Sequence, residues 1–314
     1  MFRLTLPLIP LLMLAVALPP DAQSQPLPKI PEPVVMSLRE IRPPESLPGQ
    51  VLELDFVTSK SMSLFIPQRF VPPENGAVEL TMHFHGAHWF AVEEHLRRGL
   101  DSPLLTFELG QGSTVYKTPF LDESQFLRTI KTVESTLQLH TGNPATHVAV
   151  VDISSYSAGY GAVREMIKSP QNVKLIRRIV LGDSLYGSLD SAALENGLRE
   201  PAAEHVEPWV NFGRLALAGE KTLFITTSEI TPEAYAGSHE VARSITKALG
   251  LEIQSVKPGS SPAAETMQPY PLVQRAGSAG FHWWGYAGED ATAHMTLARH
   301  IADYWIALDE AGIP

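Results

Sequence analysis

Hydrophobic and polar positions alternate along the chain with two different periods. Short apolar runs rich in β-branched residues predict strands, and the segments between them repeat apolar residues every three or four positions, as amphipathic helices do. Strands are predicted at 51–57, 61–67, 78–85, 104–110, 146–154, 176–183, 222–228 and 280–288. Helices are predicted at 91–99, 123–140, 158–168, 239–250 and 293–310. This alternation predicts an α/β fold with a mainly parallel central sheet and helices on both faces.

The first 50 residues follow a different pattern. Arg3 precedes an apolar stretch at 4–18, and Ala22-Gln23-Ser24 fits the small-x-small cleavage rule. Residues 1–24 are therefore predicted to be a secretory signal peptide, which implies export to the periplasm or the medium and no membrane span after its removal. The proline-rich residues 25–50 predict an extended tether or a strap on the domain surface.

Residues 51–314 are predicted to form one catalytic domain, with a small helical cap within 184–221 and with 208–219 as its main part. The chain has 314 residues, a formal net charge of -10 and no cysteine. An acidic chain without basic runs is not expected to bind nucleic acid. The absence of cysteine excludes a cysteine nucleophile and a thiolate metal site. Nothing in the composition predicts the oligomeric state.

Ligand sites on parallel sheets lie at the carboxyl ends of the strands, so the residues after each strand were considered first. The pentad Ser155-Tyr156-Ser157-Ala158-Gly159 follows the strand predicted at 146–154 and precedes a helix. It matches the G-x-S-x-G nucleophile elbow, with Ser155 in place of the first glycine. The alternative is an ordinary strand-to-helix turn in which Ser157 caps the helix.

With "HFHG" after the third strand and "SYSAG" after the fifth, residues 51–314 resemble the α/β-hydrolase superfamily. The resemblance implies a triad in the chain order serine, acid, histidine. Asp183, which ends an apolar strand, is the preferred acid, and Glu229 is the alternate. His294 is the preferred base because it is predicted to lie in the loop after the last strand, and His282 is the alternate. Asp152, before the elbow, is interpreted as structural.

The histidine cluster His83, His85 and His88 allows two functional interpretations. Its His-x-His-x-x-His spacing resembles the zinc signature of metallo-β-lactamase-type hydrolases, but Ala87 stands where that signature usually carries aspartate. In the hydrolase interpretation, His85, Gly86 and Ala87 form the oxyanion loop. The resemblance then implies that an N–H of this loop and the N–H of Ala158 bind the oxyanion.

The sequence thus predicts an exported serine hydrolase that acts on a small-molecule or lipid-like carboxylic ester without a cofactor. Two alternatives remain open at this point. One is a zinc-dependent hydrolase that uses the histidine cluster, and the other is a catalytically inactive hydrolase-fold binding protein in which neither acid reaches His294. A group of aromatic residues near strand ends is expected to line a pocket or to belong to the core: Trp89, Phe90, Tyr116, Trp283, Trp284 and Tyr286.

Overall fold

The structure is a computed structural model that describes residues 30–57, 60–257 and 269–313. The predicted signal peptide, residues 1–24, lies outside the described residues and stays a prediction. Within the described ranges, no helix is both long enough and apolar enough to cross a membrane.

One ten-stranded sheet organises the chain. Its strands are β1 (Gly49–Val57), β2 (Lys60–Pro67), β3 (Ala77–Phe84), β4 (Leu104–Phe107), β5 (His147–Tyr156), β6 (Ile176–Gly182), β7 (Thr222–Thr227), β8 (Gln254–Ser255), β9 (Leu272–Ser278) and β10 (Phe281–Tyr286). They are ordered β1-β2-β4-β3-β5-β6-β7-β10-β9-β8. The six neighbouring strands β4-β3-β5-β6-β7-β10 are parallel to one another. Antiparallel strands flank them on both sides, with β2 next to β4 and β9 next to β10. The predicted mainly parallel sheet is confirmed.

Helices cover both faces of the sheet. They are α1 (His88–Arg97), α2 (Ser113–Lys117), α3 (Gln125–Thr141), α4 (Tyr160–Met166), α5 (Pro170–Leu175), α6 (Ser191–Glu195), α7 (Ala203–Leu217), α8 (Ser238–Ala248), α9 (Ala291–Ala298) and α10 (Ile301–Glu310). Successive side chains of a strand point to opposite faces. On β6, Ile179 and Leu181 therefore join the large core beneath α3, α4, α7 and α8, whereas Val180 joins the core beneath α9 and α10. This two-sided burial explains why the parallel strands read as nearly continuous apolar runs.

The last third of the chain differs from the predictions in two places. The strand predicted at 280–288 is present as β10, but it has an antiparallel neighbour, the partly buried β9, for which nothing was predicted. The helix predicted at 293–310 is two helices, α9 and α10. His300 separates them with a non-helical backbone (φ −115°, ψ 16°). Its imidazole binds Asp303 on one side and the N–H of Ser37 on the other.

The predicted cap is also misplaced. Helix α7 contains most of the 208–219 segment, and it packs on β7, β10 and α8 with Trp209 and Phe212 in the main core. It is the crossover between β6 and β7. Within the predicted cap region, only the short helix α6 stands apart from the core, since none of its residues is buried.

Residues 30–48 form no helix or strand and run as a strap across the C-terminal part of the domain. Met36 is fully buried in the core beneath α9 and α10. The Tyr286 hydroxyl donates to the Val34 carbonyl over 2.9 Å. Arg39 and Arg299 each donate a guanidinium N–H to the other's carbonyl oxygen, over 2.6 and 3.0 Å. Of the two predicted forms of this segment, the described part is therefore a strap and not a free tether.

Asp152 lies inside the sheet on β5 and holds two arginines of β6. Arg177 and Arg178 both donate to its carboxylate, with distances from 2.6 to 3.0 Å. Burial alone would raise the pKa of Asp152, but the hydrogen bonds and charges of the two arginines lower it below its usual range. The Arg178 guanidinium also stacks on the ring of Trp305. The interpretation of Asp152 as structural agrees with these contacts.

Candidate active site

The parallel pairing of β5 and β6 brings two of the predicted site residues to one edge of the sheet. Ser157 directly follows β5 and Asp183 directly follows β6, and the last residues of the two strands, Tyr156 and Gly182, lie side by side. His294 reaches the same edge from α9. It lies on a helix and not in the loop that the sequence analysis expected, because Asp290 caps α9 ahead of it by accepting the N–H of Ala293 over 2.8 Å.

The turn at Ser157 has the geometry of a nucleophile elbow. Ser157 has a φ of 47°, in the left-handed region that non-glycine residues rarely occupy. The chain then enters a short 3₁₀ turn (Ser157–Gly159) that leads into α4. A Cβ at Gly159 would lie 2.3 Å from the carbonyl oxygen of Phe84, so only glycine fits there. The tight strand-to-helix turn therefore exposes a half-buried serine at the sheet edge.

Ser155, which departs from the elbow motif, takes part in a small hydrogen-bond cluster beneath the turn. Its hydroxyl lies 2.5 Å from that of Ser184, which follows β6. The Ser184 hydroxyl donates to the carbonyl oxygen of Ser157 over 2.8 Å and accepts the N–H of Tyr160 over 3.1 Å. Ser155 thus ties the elbow to the neighbouring strand end. No local sequence pattern indicates this role for Ser184, because its partners are distant in sequence.

Asp183 and His294 form a direct hydrogen bond. The imidazole Nδ1 lies 2.7 Å from the carboxylate Oδ2, and the Asp183 side chain is fully buried. Asp183 also accepts the N–H and hydroxyl of Ser228, over 3.1 and 2.7 Å, and the hydroxyl of Ser238. The alternative of a catalytically inactive binding protein requires that neither acid reaches His294. The contact between Asp183 and His294 therefore argues against this alternative.

The electrostatics of Asp183 favour its ionised form. Burial by itself would raise the pKa of this carboxyl group. The hydrogen bond and charge of His294, together with the hydroxyls of Ser238 and Ser228, outweigh burial and lower the pKa below its usual range. The carboxylate is therefore negatively charged at neutral pH and can fix the orientation of the imidazole.

The two alternate residues occupy other places. Glu229 pairs with Gly288 through its backbone N–H over 2.9 Å and through its carboxylate over 3.3 Å, which fastens the loop after β7 to the loop after β10. His282 is buried near the start of β10, where its Nε2 lies 2.9 Å from the carbonyl oxygen of Ala279. Burial lowers the pKa of His282 to about 4. Neither residue makes a hydrogen bond to Asp183, His294 or Ser157 in the part of the chain that the structure describes.

His83 braces the loop that follows β3. Its Nδ1 accepts the hydroxyl of Ser154 over 2.8 Å, and its Nε2 donates to the carbonyl oxygen of His85 over 2.9 Å. In a trans peptide the C=O and the next N–H point in opposite directions. By holding the His85 carbonyl, His83 therefore fixes the direction of the Gly86 N–H. Gly86 has a φ of 114°, which suits glycine.

The three clustered histidines bind separate protein groups. Both ring nitrogens of His83 are occupied, while Nδ1 of His85 lies 2.9 Å from the Tyr116 hydroxyl and Nδ1 of His88 lies 2.7 Å from the Thr106 hydroxyl. Within residues 30–57, 60–257 and 269–313, no group of three histidine or acidic side chains is arranged to hold a metal ion. The geometry does not favour the zinc interpretation.

Backbone strain is concentrated at this site. Among the described residues other than glycine, four have a positive φ, and three of them are His85, Ser157 and Asp183. Each such residue costs of order 1–3 kcal/mol and is retained only where the surrounding structure holds it in place. The buried hydroxyls of Ser154, Ser184 and Ser228 supply that support through the hydrogen bonds given above.

A cavity of about 200 Å³ opens beside the loop after β3. Gly86 and Tyr156, the residue before Ser157, are among its lining residues, and Trp89 and Phe90 line it, as one of the two predictions for these aromatic residues had it. The other aromatic residues considered for a pocket belong to the core: Tyr116, Trp283, Trp284 and Tyr286.

Buried neutral histidines should make the folded protein less stable in acid. Burial lowers the pKa of His83, His95 and His282 to about 4, against 6.5 in the unfolded chain. Below pH 6.5 the unfolded chain binds protons that the folded chain rejects. The free energy of unfolding should therefore fall between pH 6.5 and 4, by up to about 1.4 kcal/mol per pH unit for each histidine.

Urea unfolding at pH 7.5, 6.5, 5.5 and 4.5 measures this dependence. A His282→Gln variant should show a shallower fall with pH than the wild type, whatever its stability at pH 7.5. A free energy of unfolding that stays constant between pH 6.5 and 5 would contradict the prediction.

No protein-family model matches this chain, and no curated protein matches it either. Solved structures resemble it at low identity. An uncharacterised protein from Capnocytophaga ochracea is 12% identical with a TM-score of 0.46, and the match covers 83% of this chain and 63% of that protein. A feruloyl esterase module from Clostridium thermocellum is 12% identical with a TM-score of 0.45, and the match covers 87% of this chain and 92% of that module. An S-formylglutathione hydrolase from Agrobacterium tumefaciens is 11% identical, with a TM-score of 0.46 and coverage of 87% and 98%.

The observed topology stands independently of these comparisons. The mainly parallel sheet, with the strained serine turn after its fifth strand, gives this chain an α/β-hydrolase-like fold.

Proposed function

We propose that this protein is a serine hydrolase that cleaves carboxylic esters, with Ser157 as nucleophile, His294 as general base and Asp183 as the acid of the triad. The observation that carries the proposal is the 2.7 Å hydrogen bond between Asp183 and His294 at the sheet edge where the strained turn presents Ser157. The chain order of the three residues is that of α/β-hydrolases.

The proposed reaction proceeds by acyl transfer. With its Nδ1–H donated to Asp183, the imidazole of His294 has its lone pair on Nε2, which takes the proton of Ser157 as Oγ attacks the ester carbonyl carbon. The proton then passes to the leaving alcohol as the acyl-enzyme forms. Water, deprotonated by the same imidazole, attacks the acyl-enzyme, and the proton returns to Ser157 as the acid is released. Asp183 stays ionised and stabilises the imidazolium that forms.

The oxyanion in each step would be held by backbone donors. The N–H of Ala158 lies at the start of the helical segment after Ser157, where N–H groups lack intrahelical partners. The second donor is an N–H of the His85-Gly86-Ala87 segment, and the bond from His83 to the His85 carbonyl supports Gly86 in that role. Loss of one such donor typically costs about 2.7–4 kcal/mol of transition-state stabilisation.

Labelling with a fluorophosphonate probe tests the proposed nucleophile. The wild type should be labelled and Ser157→Ala should not be. Ser244→Ala is a matched control, because Ser244 lies on α8 and its hydroxyl bonds its own helix. Folded wild-type protein that takes up no probe and hydrolyses no ester would reject the proposal.

Removal of divalent metal distinguishes the proposed mechanism from zinc chemistry. Dialysis against a chelator should leave ester hydrolysis unchanged, because the proposed mechanism uses no metal ion. Hydrolysis of a p-nitrophenyl ester before and after dialysis, with and without added zinc, is the measurement. A loss of activity that zinc restores would return the histidine cluster to consideration.

We also propose that the protein is exported and acts on a small-molecule or lipid-like ester outside the cytoplasm. The composition of residues 1–24 supports export. Expression of the full chain in a Gram-negative host should yield periplasmic protein whose N-terminus, by mass spectrometry, lies near residue 25. Full-length protein retained in the cytoplasm would contradict this.

A further inference from the structure

The cavity beside Gly86 and Tyr156 has an apolar wall of mixed origin. Trp89 and Phe90 come from α1, Met295 and Ala298 come from α9, and Ile41 comes from the strap. A wall of this kind suits an aromatic ring or an alkyl chain, since pockets for such groups are mostly apolar with a few placed polar groups.

One charged side chain, Arg299, interrupts this wall. Its guanidinium donates one hydrogen bond, to the carbonyl oxygen of Arg39, and it forms no ion pair with any acidic side chain of the described residues. The histidines at the cavity, His83 and His85, are neutral at pH 7 because burial lowers their pKa values. Among the described residues, the cavity wall therefore carries one positive charge, that of Arg299, and no acidic side chain.

Arg299 and the proposed base lie on the same helix. His294 and Arg299 are five positions apart on and just after α9, which corresponds to about 7.5 Å along the helix axis and about 140° around it. Met295 and Ala298, which lie between them in sequence, line the cavity together with Arg299, whereas His294 is not among its lining residues. A substrate that reaches from Arg299 to His294 would thus pass along these apolar side chains.

We propose that the ester substrate carries an anionic group, a carboxylate, at the end of the apolar part that enters this cavity, and that Arg299 binds it. The inference rests on the proposed esterase function and specifies its substrate class. A guanidinium forms charge-assisted, often bidentate, hydrogen bonds with a carboxylate. The formal net charge of -10 would repel an anion in general, so a preference for anionic esters would be a local property of this cavity.

The test compares esters that differ in one charge. On the acyl side, p-nitrophenyl monoesters of dicarboxylic acids from glutaric to suberic are paired with neutral p-nitrophenyl alkanoates of the same chain length. On the alcohol side, 4-acetoxybenzoate is paired with 4-acetoxybenzamide. We expect kcat/KM to be about tenfold higher for the charged member of the best pair at low salt, and the preference to shrink as salt screens the contact.

Two variants assign the preference to Arg299. Arg299→Gln keeps an N–H donor for the Arg39 carbonyl but removes the charge, and it should abolish the preference. Arg299→Lys should retain part of it. Arg214→Gln makes the same change of charge at an exposed position on α7, where the guanidinium donates to Asn211 and to no other described residue. It controls for long-range effects of the lost charge.

Calorimetric binding of 5-phenylvalerate against 5-phenylvaleramide provides a readout without turnover. Tighter binding of the carboxylate that is lost in Arg299→Gln supports the anion site even if no ester is hydrolysed, in which case only the proposed function fails. The inference is overturned if kcat/KM for the charged ester is equal to or lower than that for the neutral ester in both sets. It is also overturned if a preference for the charged ester survives in Arg299→Gln. In either case, hydrolysis of the neutral esters would leave the proposed function standing.

Discussion

Replacement of Asp183 by asparagine is expected to lower kcat by about 10⁴-fold with a much smaller change in KM. The asparagine amide would place an N–H₂ group opposite His294, and the imidazole would then carry its proton on Nε2, where it cannot accept the proton of Ser157. Asparagine has nearly the size of aspartate and can still accept hydrogen bonds from Ser228 and Ser238 through its carbonyl oxygen. Steady-state kinetics with a p-nitrophenyl ester, at a pH where the variant is folded, give the comparison.

Glu229→Gln is the matched control for this substitution. Within the described residues, the Glu229 carboxylate accepts a single hydrogen bond, from the backbone N–H of Gly288. The amide of glutamine can replace it, so hydrolysis should be close to that of the wild type. The opposite result, in which Glu229→Gln is inactive and Asp183→Asn retains more than a tenth of the activity, would identify Glu229 as the acid and contradict the assignment.

Removal of the Asp152 carboxylate is expected to give the largest loss of stability. Asp152→Ala leaves the guanidinium of Arg178, whose side chain is 10% exposed, without its main counter-charge and also removes both hydrogen bonds from Arg177. Breaking a buried ion pair by removing one partner typically costs about 3–5 kcal/mol. Urea unfolding at pH 7 should show a decrease of this size in the free energy of unfolding.

Asp309→Ala separates burial from ion pairing. Asp309 binds the same guanidinium of Arg178, but its side chain is 45% exposed, and exposed pairs contribute about 0–1 kcal/mol. Its removal should therefore have a small effect. Losses of similar size in the two variants would mean that the buried position of Asp152 does not determine its contribution.

The fold was largely predictable because the central strands are buried on both faces. Runs such as residues 146–154 and 176–183 are almost continuously apolar, and helical spacing between them identified the crossovers. The strained turn at Ser157 was predictable for a similar local reason, since a tight turn between a strand and a helix needs small residues at fixed positions. These signals depend only on neighbours in sequence.

The sequence predictions failed or stayed open where contacts between residues distant in sequence determine the structure. Strand β9 is only partly buried, and no element was predicted for its residues from the sequence. The break between α9 and α10 depends on contacts of His300 with the strap, 263 positions away. The choice of Asp183 over Glu229 was a preference from sequence, because both follow apolar strands. The three hydroxyls that hold the turn at Ser157 and the carboxylate of Asp183 in place, those of Ser184, Ser228 and Ser238, carry no local signal.

The cavity wall combines residues from both ends of the described chain, Ile41 of the strap and Arg299 after α9, so the order of synthesis determines when it can form. Ile41 leaves the ribosome among the first of the described residues, whereas Arg299, on the same cavity wall, is made near the last. The Arg39–Arg299 bonds that close this wall can form only after both segments are available. A nascent chain that ends before Arg299 can therefore contain every strand of the sheet and the serine turn and still lack part of the wall of this cavity.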